Sequence, residues 1–322
     1  MSVTQQVGTP GAVAPGPVAP AAIPRRVAAL LPLLLLPAAC SAARCGDGDA
    51  VPVTFREGHA FVPAGINGQA VELALDTGSE RTVLTQEAVT RLRLPTVAGS
   101  GQATVGIDST TRLDDAAVED LRVGAMTASR MAFPVVPLPM LEGRRPLAAG
   151  ALGTDALSLS EIDLDLPHGV MTAYPIERCA VRQPLWPGRA VALPSDRLPG
   201  GRLAIRVRLD DQPLVALIDS GAAASVITAT VAARLGLTAE ILRRDPTAEA
   251  VGTGSAARLV HLHRFRALQL GDAGPVLRDL PVVVLGDTFE DHDMLLGLDV
   301  LQQVRLWLSY RDARVFAEAP AR

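Results

Sequence analysis

Two segments of this chain match each other across a separation of 143 positions (219 − 76). Leu75–Gly78 reads Leu-Asp-Thr-Gly and Ile218–Gly221 reads Ile-Asp-Ser-Gly, and each ends an apolar run. The same offset relates positions further along the chain: Val83 to Val226, Thr85 to Thr228, Arg91 to Arg234, Leu92 to Leu235 and Leu94 to Leu237. This internal similarity predicts a duplicated fold with one carboxylate per copy near a pseudo-twofold axis. Two adjacent carboxylates can share a proton and activate water, so the repeat itself indicates chemistry.

Composition favours a globular protein of two domains. The 322 residues are enough for two hydrophobic cores, and 48% of them are hydrophobic. The formal net charge is −4, from 30 Lys+Arg and 34 Asp+Glu, which gives no reason to expect nucleic acid as a partner. Aromatic residues make up only 3%, so the cores must be built from Leu, Val, Ile and Ala.

The first 48 residues are interpreted as a disordered leader with a signal or lipoprotein segment. Residues 1–24 are rich in Pro, Ala and Gly and carry no charge. Two arginines then precede an apolar run over 27–39, whose 13 residues (39 − 27 + 1) are too few to span a bilayer but suit a signal-peptide core. The run closes with Leu36–Cys40, which resembles the lipobox of bacterial lipoproteins except at Pro37. We therefore expect export, as a periplasmic protein or one attached to the membrane through a lipid on Cys40.

The three cysteines leave two interpretations open. With Cys40 lipidated, Cys45 and Cys179 remain for a disulfide in an oxidising periplasm. The alternative is that both are unpaired thiols in flexible flanks. No CxxC pair and no metal-ligand spacing occurs, so we expect neither a metal site nor a cofactor.

Each copy begins with the signature of a β-hairpin. Asn67-Gly68 separates two apolar-rich runs in the first copy, and Asp210-Asp211 takes the same place in the second. After each Asp-Thr/Ser-Gly we expect a short strand and then a helix, over 86–92 and 229–235. The predicted organisation is a leader over 1–48, a first domain over 49–174, a Pro-rich connector over 175–197 and a second domain over 198–322.

Two further elements recur in both copies. A glycine-bearing hairpin is expected after each helix. Its tip is predicted at Gly106, Ile107 and Asp108 in the first copy and at Gly252, Thr253 and Gly254 in the second. Each copy then nears its end with an apolar pair before Gly-x-Asp, at Gly153–Asp155 and Gly297–Asp299.

In this order, the Asp-Thr/Ser-Gly motif, the flap-like hairpin and the Gly-x-Asp turn resemble the retropepsin-like aspartic protease family. Both copies carry all three elements, so the chain resembles a bacterial exported form with two retropepsin-like units fused in tandem. The resemblance implies an all-β fold of two tandem acid-protease barrels related by a pseudo-twofold axis, each with a short helix. Neither flap contains an aromatic residue, so the likeness is to retropepsins rather than to pepsin-like members, whose flap carries a tyrosine.

The resemblance also implies the roles of individual residues. Asp76 and Asp219 would form a catalytic pair, in which the ionised carboxylate takes a proton from water and the protonated one hydrogen-bonds the developing oxyanion. The two flap tips would close on an extended peptide that pairs with them as an added β-strand. Four residues would hold the two loops in place: Thr77, Gly78, Ser220 and Gly221.

Several other polar residues have simpler explanations than catalysis. Asp155 and Asp299 are expected to accept backbone amide bonds at a helix start. His261 and His263 lie on one face of a probable strand, and solvent-facing side chains are favoured over a metal site because a third ligand is missing. The acidic segment over 287–293 lacks the ligand spacing of a calcium loop and is interpreted as a solvated loop.

The leading functional hypothesis is an aspartic endopeptidase that hydrolyses peptide bonds in an extended peptide or protein substrate. The alternative is a non-catalytic peptide-binding or scaffolding lipoprotein of the envelope with the same fold. We expect a monomer that is its own internal pseudo-dimer. A homo-oligomer in which copies pair between chains is the remaining possibility.

Overall fold

The computed structural model describes residues 48–98, 102–105, 109–112, 114–138, 141, 148–177, 183–184, 186, 189–250, 258–286 and 289–319, with backbone alone for 102–105, 109–112 and 250. Cys40, Cys45 and Cys179 lie outside these residues, as do all six predicted flap-tip residues. Within them, no helix has both the length and the apolar character needed to cross a bilayer.

The first copy is built from short strands with two small helices. Its strands are β1 Asp49–Pro52, β2 Thr54–Arg56, β3 His59–Ile66, β4 Gln69–Leu75, β5 Val83–Leu84, β6 Thr96–Val97, β7 Gln102–Val105, β8 Ser109–Arg112, β9 Asp115–Val123, β10 Met126–Pro134, β11 Ala148–Leu152, β12 Ser160–Asp165 and β13 Val170–Pro175. Its helices are α1 Gln86–Leu92 and α2 Thr154–Leu157, with a 3₁₀ turn at Leu166–His168.

The rest of the chain repeats this plan. Its strands are β14 Ala190–Leu193, β15 Ser195–Arg197, β16 Leu203–Leu209, β17 Gln212–Ile218, β18 Val226–Thr228, β19 Thr247–Ala250, β20 Arg258–Leu270, β21 Val276–Leu285, β22 Met294–Leu296, β23 Leu306–Ser309 and β24 Arg314–Glu318. Its helices are α3 Ala229–Arg234, α4 Ala239–Leu242 and α5 Leu298–Leu301, with a 3₁₀ turn at Pro199–Gly201.

Both predicted hairpins form, and their turns have the backbone that the sequence indicates. Asn67 and Gly68 have φ of 49° and 75°, and Asp210 and Asp211 have φ of 45° and 68°. Two consecutive positive φ values define the tight turn whose twist matches that of the flanking strands, and Asn, Asp and Gly adopt it at least cost. The turns fix the register of β3 with β4 and of β16 with β17.

Each copy closes on itself as a barrel. In the second copy, β16, β17, β22, β18, β21 and β20 pair in that order, and β20 returns to β16. In the first copy the path β10, β9, β3, β4, β11, β5 is completed by a bridge from Leu84 to Val135. Buried side chains of both copies belong to one large hydrophobic cluster. The predicted all-β fold of two pseudo-symmetric barrels with short helices is confirmed.

Threonine caps explain where the paired helices begin. Thr85 accepts a hydrogen bond from the Ala88 amide at 3.1 Å, and Thr228 accepts one from the Val231 amide at 3.2 Å. These capping threonines are themselves related by the 143-residue offset. Helix α1 has the predicted bounds, whereas α3 ends one residue earlier than predicted, at Arg234.

A six-stranded sheet joins the two copies. Its order is β1, β13, β12, β23, β24, β14, and the joint is the antiparallel pair of β12 with β23. On this sheet the buried carboxylate of Asp163 accepts two hydrogen bonds from Arg305, at 2.9 and 2.7 Å, and one from the indole of Trp186 at 2.9 Å. The predicted connector is therefore anchored on the sheet at Trp186.

Replacing Asp163 by Asn should lower the free energy of unfolding by about 2 kcal/mol. The largely buried Arg305 guanidinium loses the nearer of its two carboxylate partners, the other being Asp165 at 3.6 Å. The side chain of Asp163 is only 4% exposed, whereas Asp196, which pairs with Arg206, is 51% exposed. Asp196→Asn is therefore the matched control, with an expected loss below about 0.5 kcal/mol. Urea denaturation of both variants measures the difference. Equal losses would show that burial does not strengthen the Asp163 pair.

Candidate active site

The two Asp-Thr/Ser-Gly loops occupy equivalent positions at the ends of buried strands. Asp76 follows β4 and Asp219 follows β17. The Asp76 amide donates to the Leu152 carbonyl at 3.1 Å, and the Asp219 amide donates to the Leu296 carbonyl at 3.0 Å. These acceptors end β11 and β22, which run parallel to β4 and β17. Each aspartate is thus positioned by a strand that arrives from much later in the same copy.

Hydrogen bonds between Thr77 and Ser220 tie the two loops together. The Thr77 hydroxyl donates to the Ile218 carbonyl, and the Ser220 hydroxyl donates to the Leu75 carbonyl, both at 2.8 Å. Each hydroxyl also accepts the backbone amide of the other residue at 3.0 Å. Both side chains are buried, so these bonds form away from water and hold the loops in a fixed relation.

The two aspartate carboxyl groups meet at the centre of this arrangement. Asp76 Oδ1 accepts the amides of Gly78 and Ser79 at 3.1 and 3.0 Å, and Asp219 Oδ1 accepts the amide of Gly221 at 2.9 Å. The two carboxyl groups are close enough for each to act on the pKa of the other. Two carboxylates this close ionise together only at a high cost, so the arrangement suits a pair that shares one proton.

Each glycine makes room for the aspartate of the opposite loop. A Cβ atom on Gly78 would lie 2.4 Å from Cγ of Asp219, and one on Gly221 would lie 2.6 Å from Cγ of Asp76. The sequence analysis assigned these glycines to the approach of backbone amides. The structure adds that the partner carboxyl fills the space in which a side chain would begin.

The environment of the carboxyl groups makes them unequal. Burial and the charge of Asp219 raise the pKa of Asp76 to about 7, against the opposing effect of two backbone amides. Burial also raises the pKa of Asp219, but the amides of Gly221 and Ala222, the charge of His292 and the hydrogen bond from Asp76 oppose that rise. Both residues are partly exposed, as residues that must meet water and a substrate have to be. More groups oppose the rise in pKa at Asp219 than at Asp76, which favours Asp76 as the protonated partner.

Asp155 and Asp299 have the structural role that was predicted. Asp155 Oδ1 accepts the amide and hydroxyl of Thr82, at 2.8 and 2.7 Å, and the amide of Ala156 at 2.8 Å. Asp299 Oδ1 accepts the Ser225 hydroxyl at 2.7 Å and the Val300 amide at 2.9 Å. Both residues lie in the first turn of a helix and fasten it to the residue just before the strand that follows the Asp-Thr/Ser-Gly loop.

The flap strands are present, although the predicted tips lie outside the described residues. In the first copy β7 and β8 form a two-stranded antiparallel ribbon on either side of 106–108. In the second copy β19 pairs with the first part of β20 on either side of 251–257. The roles of the tip residues therefore stay predictions.

The expectation for the two histidines on β20 was wrong in one respect. His261 and His263 are partly buried rather than solvent-facing. His263 Nδ1 lies 2.8 Å from Asp245 Oδ2, and its ring packs against the edge of Phe265 at 4.8 Å. Among the described residues, no group of three or more His, Cys, Asp or Glu side chains is placed to hold a metal ion.

The segment 287–293, interpreted as a solvated loop, is exposed at Glu290 but partly buried at Asp291 and His292. The side chain of His292 is only 7% exposed, and Asp291 accepts a hydrogen bond from Arg202 at 2.8 Å. The charge of His292 is among the influences that oppose the rise in the pKa of Asp219. Comparison of the two copies could have drawn attention to His292. The Gly-x-Asp turns are 144 positions apart (297 − 153), so the residue of the first copy that corresponds to His292 is Ala148.

Tyr310 is a second neighbour of the pair that the sequence did not reveal. Its side chain is 3% exposed, and its hydroxyl has no hydrogen-bond partner among the described residues. Burial, and then the charge of Asp76, raise the pKa of this phenol, so it stays protonated at any working pH. Tyr310 therefore contributes packing beneath the site rather than a titrating group.

Two family models match the chain, one in each copy. Residues 62–156 match the family described as "Aspartyl protease", and residues 205–303 match the family described as "gag-polyprotein putative aspartyl protease". Each match spans the Asp-Thr/Ser-Gly loop and the Gly-x-Asp turn of its copy. No curated protein sequence matches the chain.

Solved structures share the fold at low sequence identity. The aspartic proteinase of Irpex lacteus is 12% identical with a TM-score of 0.50, over 85% of this chain and 98% of that chain. Basic 7S globulin from soybean is 11% identical with a TM-score of 0.50, over 85% of this chain and 95% of that chain. A proteinase and a globulin thus have the same architecture, so these likenesses show the fold alone. With an aspartyl protease domain in each copy, the chain belongs to the retropepsin-like aspartic proteases and carries two such domains in tandem.

Proposed function

We propose that this protein is an aspartic endopeptidase, and that Asp76 and Asp219 are its catalytic residues. The observation that carries the proposal is the placement of the two carboxyl groups, each against the glycine of the opposite loop, between loops that the Thr77 and Ser220 hydroxyls lock together. A chain that needed only the fold could carry any small residues in these loops. This one keeps two carboxyl groups in contact, at the cost of raising the pKa of both.

The unequal carboxyl groups define complementary roles in the reaction. Asp219, the ionised partner, takes a proton from a water molecule as its oxygen adds to the carbonyl carbon of the scissile peptide bond. Asp76 gives its proton to the carbonyl oxygen, which would otherwise carry the developing negative charge. The neutral tetrahedral intermediate then collapses: Asp219 gives the proton to the nitrogen, Asp76 takes the proton of one hydroxyl as the carbonyl re-forms, the C–N bond breaks and two peptides leave. Two carboxyl groups and one water account for every proton.

The substrate that we propose is an extended peptide or an unfolded protein segment. The strands β7, β8, β19 and β20 support hairpins on which a peptide backbone could pair as an additional strand. Each copy supplies one such hairpin, which fits a peptide that lies across the pseudo-twofold axis. We further propose that the protein acts as a monomer in the envelope, in line with the expected export segment and Cys40.

Hydrolysis should have a window of activity that ends near neutrality. The active state has one proton on the pair, and it is lost when Asp76 ionises, at a pKa of about 7. We therefore expect kcat/KM to be constant in mildly acidic solution and to fall about tenfold per pH unit above about pH 7. At low pH, protonation of Asp219 removes the general base and forms the other limb.

Cleavage of a peptide library, followed by mass spectrometry between pH 3 and pH 9, tests both the activity and this window. Cleavage products within the window, lost on addition of a pepstatin-type inhibitor, would support the proposal. Binding of peptides without products at any pH would instead identify a peptide-binding protein. Activity that keeps rising above pH 8 would contradict the assignment of the proton to Asp76.

A further inference from the structure

The pseudo-twofold axis passes through the central strand pair of the six-stranded sheet. The closing hairpins of the two copies keep the offset of 144 positions that separates the Gly-x-Asp turns. Gly169 and Ala313, which are 144 positions apart (313 − 169), both have positive φ, at 67° and 53°. At this offset Asp163 corresponds to Trp307 (307 − 163), and these two residues are paired directly across β12 and β23. A residue that pairs with its own counterpart lies on the axis.

The polar side chains around the axis are divided by charge between the two copies. Glu161 and Asp163 of the first copy are only 1% and 3% exposed. Glu161 accepts hydrogen bonds from the Trp307 indole at 3.2 Å and from the Ser309 hydroxyl at 3.1 Å. Asp163 accepts its two hydrogen bonds from the Arg305 guanidinium. The first copy therefore supplies carboxylates at this joint, and the second copy supplies hydrogen-bond donors.

This division holds at three successive positions on one face of β12. Alternate residues of a strand share a face, so Glu161, Asp163 and Asp165 point to the same side of the sheet. Asp165 Oδ2 lies 3.6 Å from Nη1 of Arg305, which adds a second carboxylate to that guanidinium. At the offset of 144, the counterparts of the three acidic residues on β23 are Arg305, Trp307 and Ser309. No acidic residue on this face of β12 thus has an acidic counterpart.

Two first copies could not pair in this register without bringing carboxylates together. Asp163 of one copy would face Asp163 of the other on the axis, and Glu161 would face Asp165 on both sides of it. Like charges directly opposite each other destabilise an antiparallel pair, and buried charges without a partner do so most. One pair of carboxyl groups can share a proton, but here six (2 × 3) would meet without the donors of β23.

Two second copies would be mismatched for the opposite reason. Trp307 would face Trp307 on the axis, and Arg305 would face Ser309 in place of Asp165. The Arg305 side chain is only 25% exposed, and a guanidinium buried to that extent is unfavourable without an anion. Only the pairing of a first copy with a second copy satisfies both sets of side chains.

We propose that the β12 surface of the first copy is a selective interface, which accepts β23 of a second copy and rejects another first copy. Its consequence for catalysis rests on the proposed function: the interface allows Asp76 to meet Asp219 and prevents a site built from two Asp76 residues. The two halves are thus not interchangeable, although their folds are alike. The selectivity comes from the charges at the axis and not from the backbone pairing, which is the same for either partner.

The first test gives β23 of the full-length protein the acid that the first copy carries at the corresponding position. Arg305→Glu should lower the thermal unfolding midpoint at pH 7 at least about 5 °C further than Arg305→Gln, which removes the cation without adding an anion. Arg206→Glu and Arg206→Gln are the matched controls, since Arg206 also pairs with an aspartate but is 57% exposed. Their midpoints should agree within about 1 °C.

A second substitution separates repulsion from a general loss of packing. Asp163→Asn should lower the midpoint of the wild type but raise that of Arg305→Glu, because there it removes one of the opposed carboxylates. A reversal of sign is not expected of a residue that only fills space. Equal midpoints for Arg305→Glu and Arg305→Gln, or a loss on Asp163→Asn in both backgrounds, would overturn the inference.

Partner choice can also be observed directly in the folded protein. A recognition sequence for a site-specific protease is inserted in the connector between residues 177 and 183, and the folded full-length chain is cut there. After incubation at pH 7 in urea at the onset of unfolding, native mass spectrometry identifies the halves in each complex. We expect every complex to hold one first and one second copy, and a complex of two first copies would contradict the inference. Neither experiment requires catalysis, so this inference and the proposed function can fail separately.

Discussion

Replacing Asp76 or Asp219 by Asn will lower peptide hydrolysis by about three orders of magnitude or more while leaving the fold intact. Asparagine has nearly the same shape as aspartate, and its amide oxygen can still accept the Gly78 and Gly221 amides. It can neither take a proton from water nor deliver one to the substrate. General acid and base catalysis each contribute about 10²- to 10⁴-fold, and the two carboxyl groups act as a unit. Steady-state kcat/KM on a fluorogenic peptide measures the loss.

The double variant sharpens this prediction. Since each carboxyl group needs the other, Asp76→Asn combined with Asp219→Asn should be scarcely worse than either single change. Asp272→Asn is the control, because the Asp272 side chain is 82% exposed and lies outside the site. Its activity should equal that of wild type. Loss of a catalytic acid or base costs at least about 10²-fold in rate. If either single variant, Asp76→Asn or Asp219→Asn, kept more than about a tenth of the wild-type rate, the assignment of the catalytic residues would be wrong.

Much of the fold follows from short-range features of the sequence. Asn67-Gly68 and Asp210-Asp211 specify their turns because few other residues tolerate the backbone found there. Thr85 and Thr228 specify helix starts through a hydrogen bond to a residue three positions later. Because each feature occurs twice at one offset, the sequence also predicts that the copies share a fold.

Features that depend on distant pairing were not predictable in the same way. Strands β20 and β21 run for 13 and 10 residues, and they are longer than the other strands that the structure describes. Their length depends on pairing with each other, and β20 also returns to β16. Likewise β12 and β23 meet although their paired residues Ile162 and Leu308 are far apart in the chain. No feature of the sequence around Asp163 predicts its hydrogen bonds with Arg305.

The contacts of the candidate site also fall into those that the sequence predicts and those that depend on residues far apart in the chain. The contacts of Thr77 and Ser220 could be expected, because the resemblance attaches them to a motif that occurs twice. The contact between Arg202 and Asp291 could not be expected, since these residues are 89 positions apart and belong to no motif. The sequence analysis weighed His292 only as part of a calcium loop. The substitution of His292 for Ala148 between the copies was visible, but its consequence needed the burial and the neighbours of the side chain.

A methyl group at either catalytic-loop glycine should abolish most of the activity without unfolding the protein. In Gly78→Ala the new Cβ would lie 2.4 Å from Cγ of Asp219, where contacts below about 3.4 Å are unfavourable. The nearest obstacle is the end of a side chain and not backbone, so the carboxyl group can move aside by about 1 Å. A displacement of that size at a reacting group costs about 10²-fold in rate. Gly221→Ala should act in the same way on Asp76, at 2.6 Å.

Gly65→Ala separates this local effect from the general effect of the substitution. Gly65 lies on β3, and a Cβ atom there would meet nothing closer than the Cβ of Arg122 at 3.9 Å. All three variants lose the same backbone freedom in the unfolded chain, so this contribution to the free energy of unfolding is common to them. We expect Gly65→Ala to match wild type in kcat/KM, and we expect similar thermal unfolding midpoints for all three variants. Full activity in Gly78→Ala would mean that catalysis does not require the Asp219 carboxyl group at its observed position against Gly78. A mechanism that needs the two carboxyl groups close together would then be contradicted.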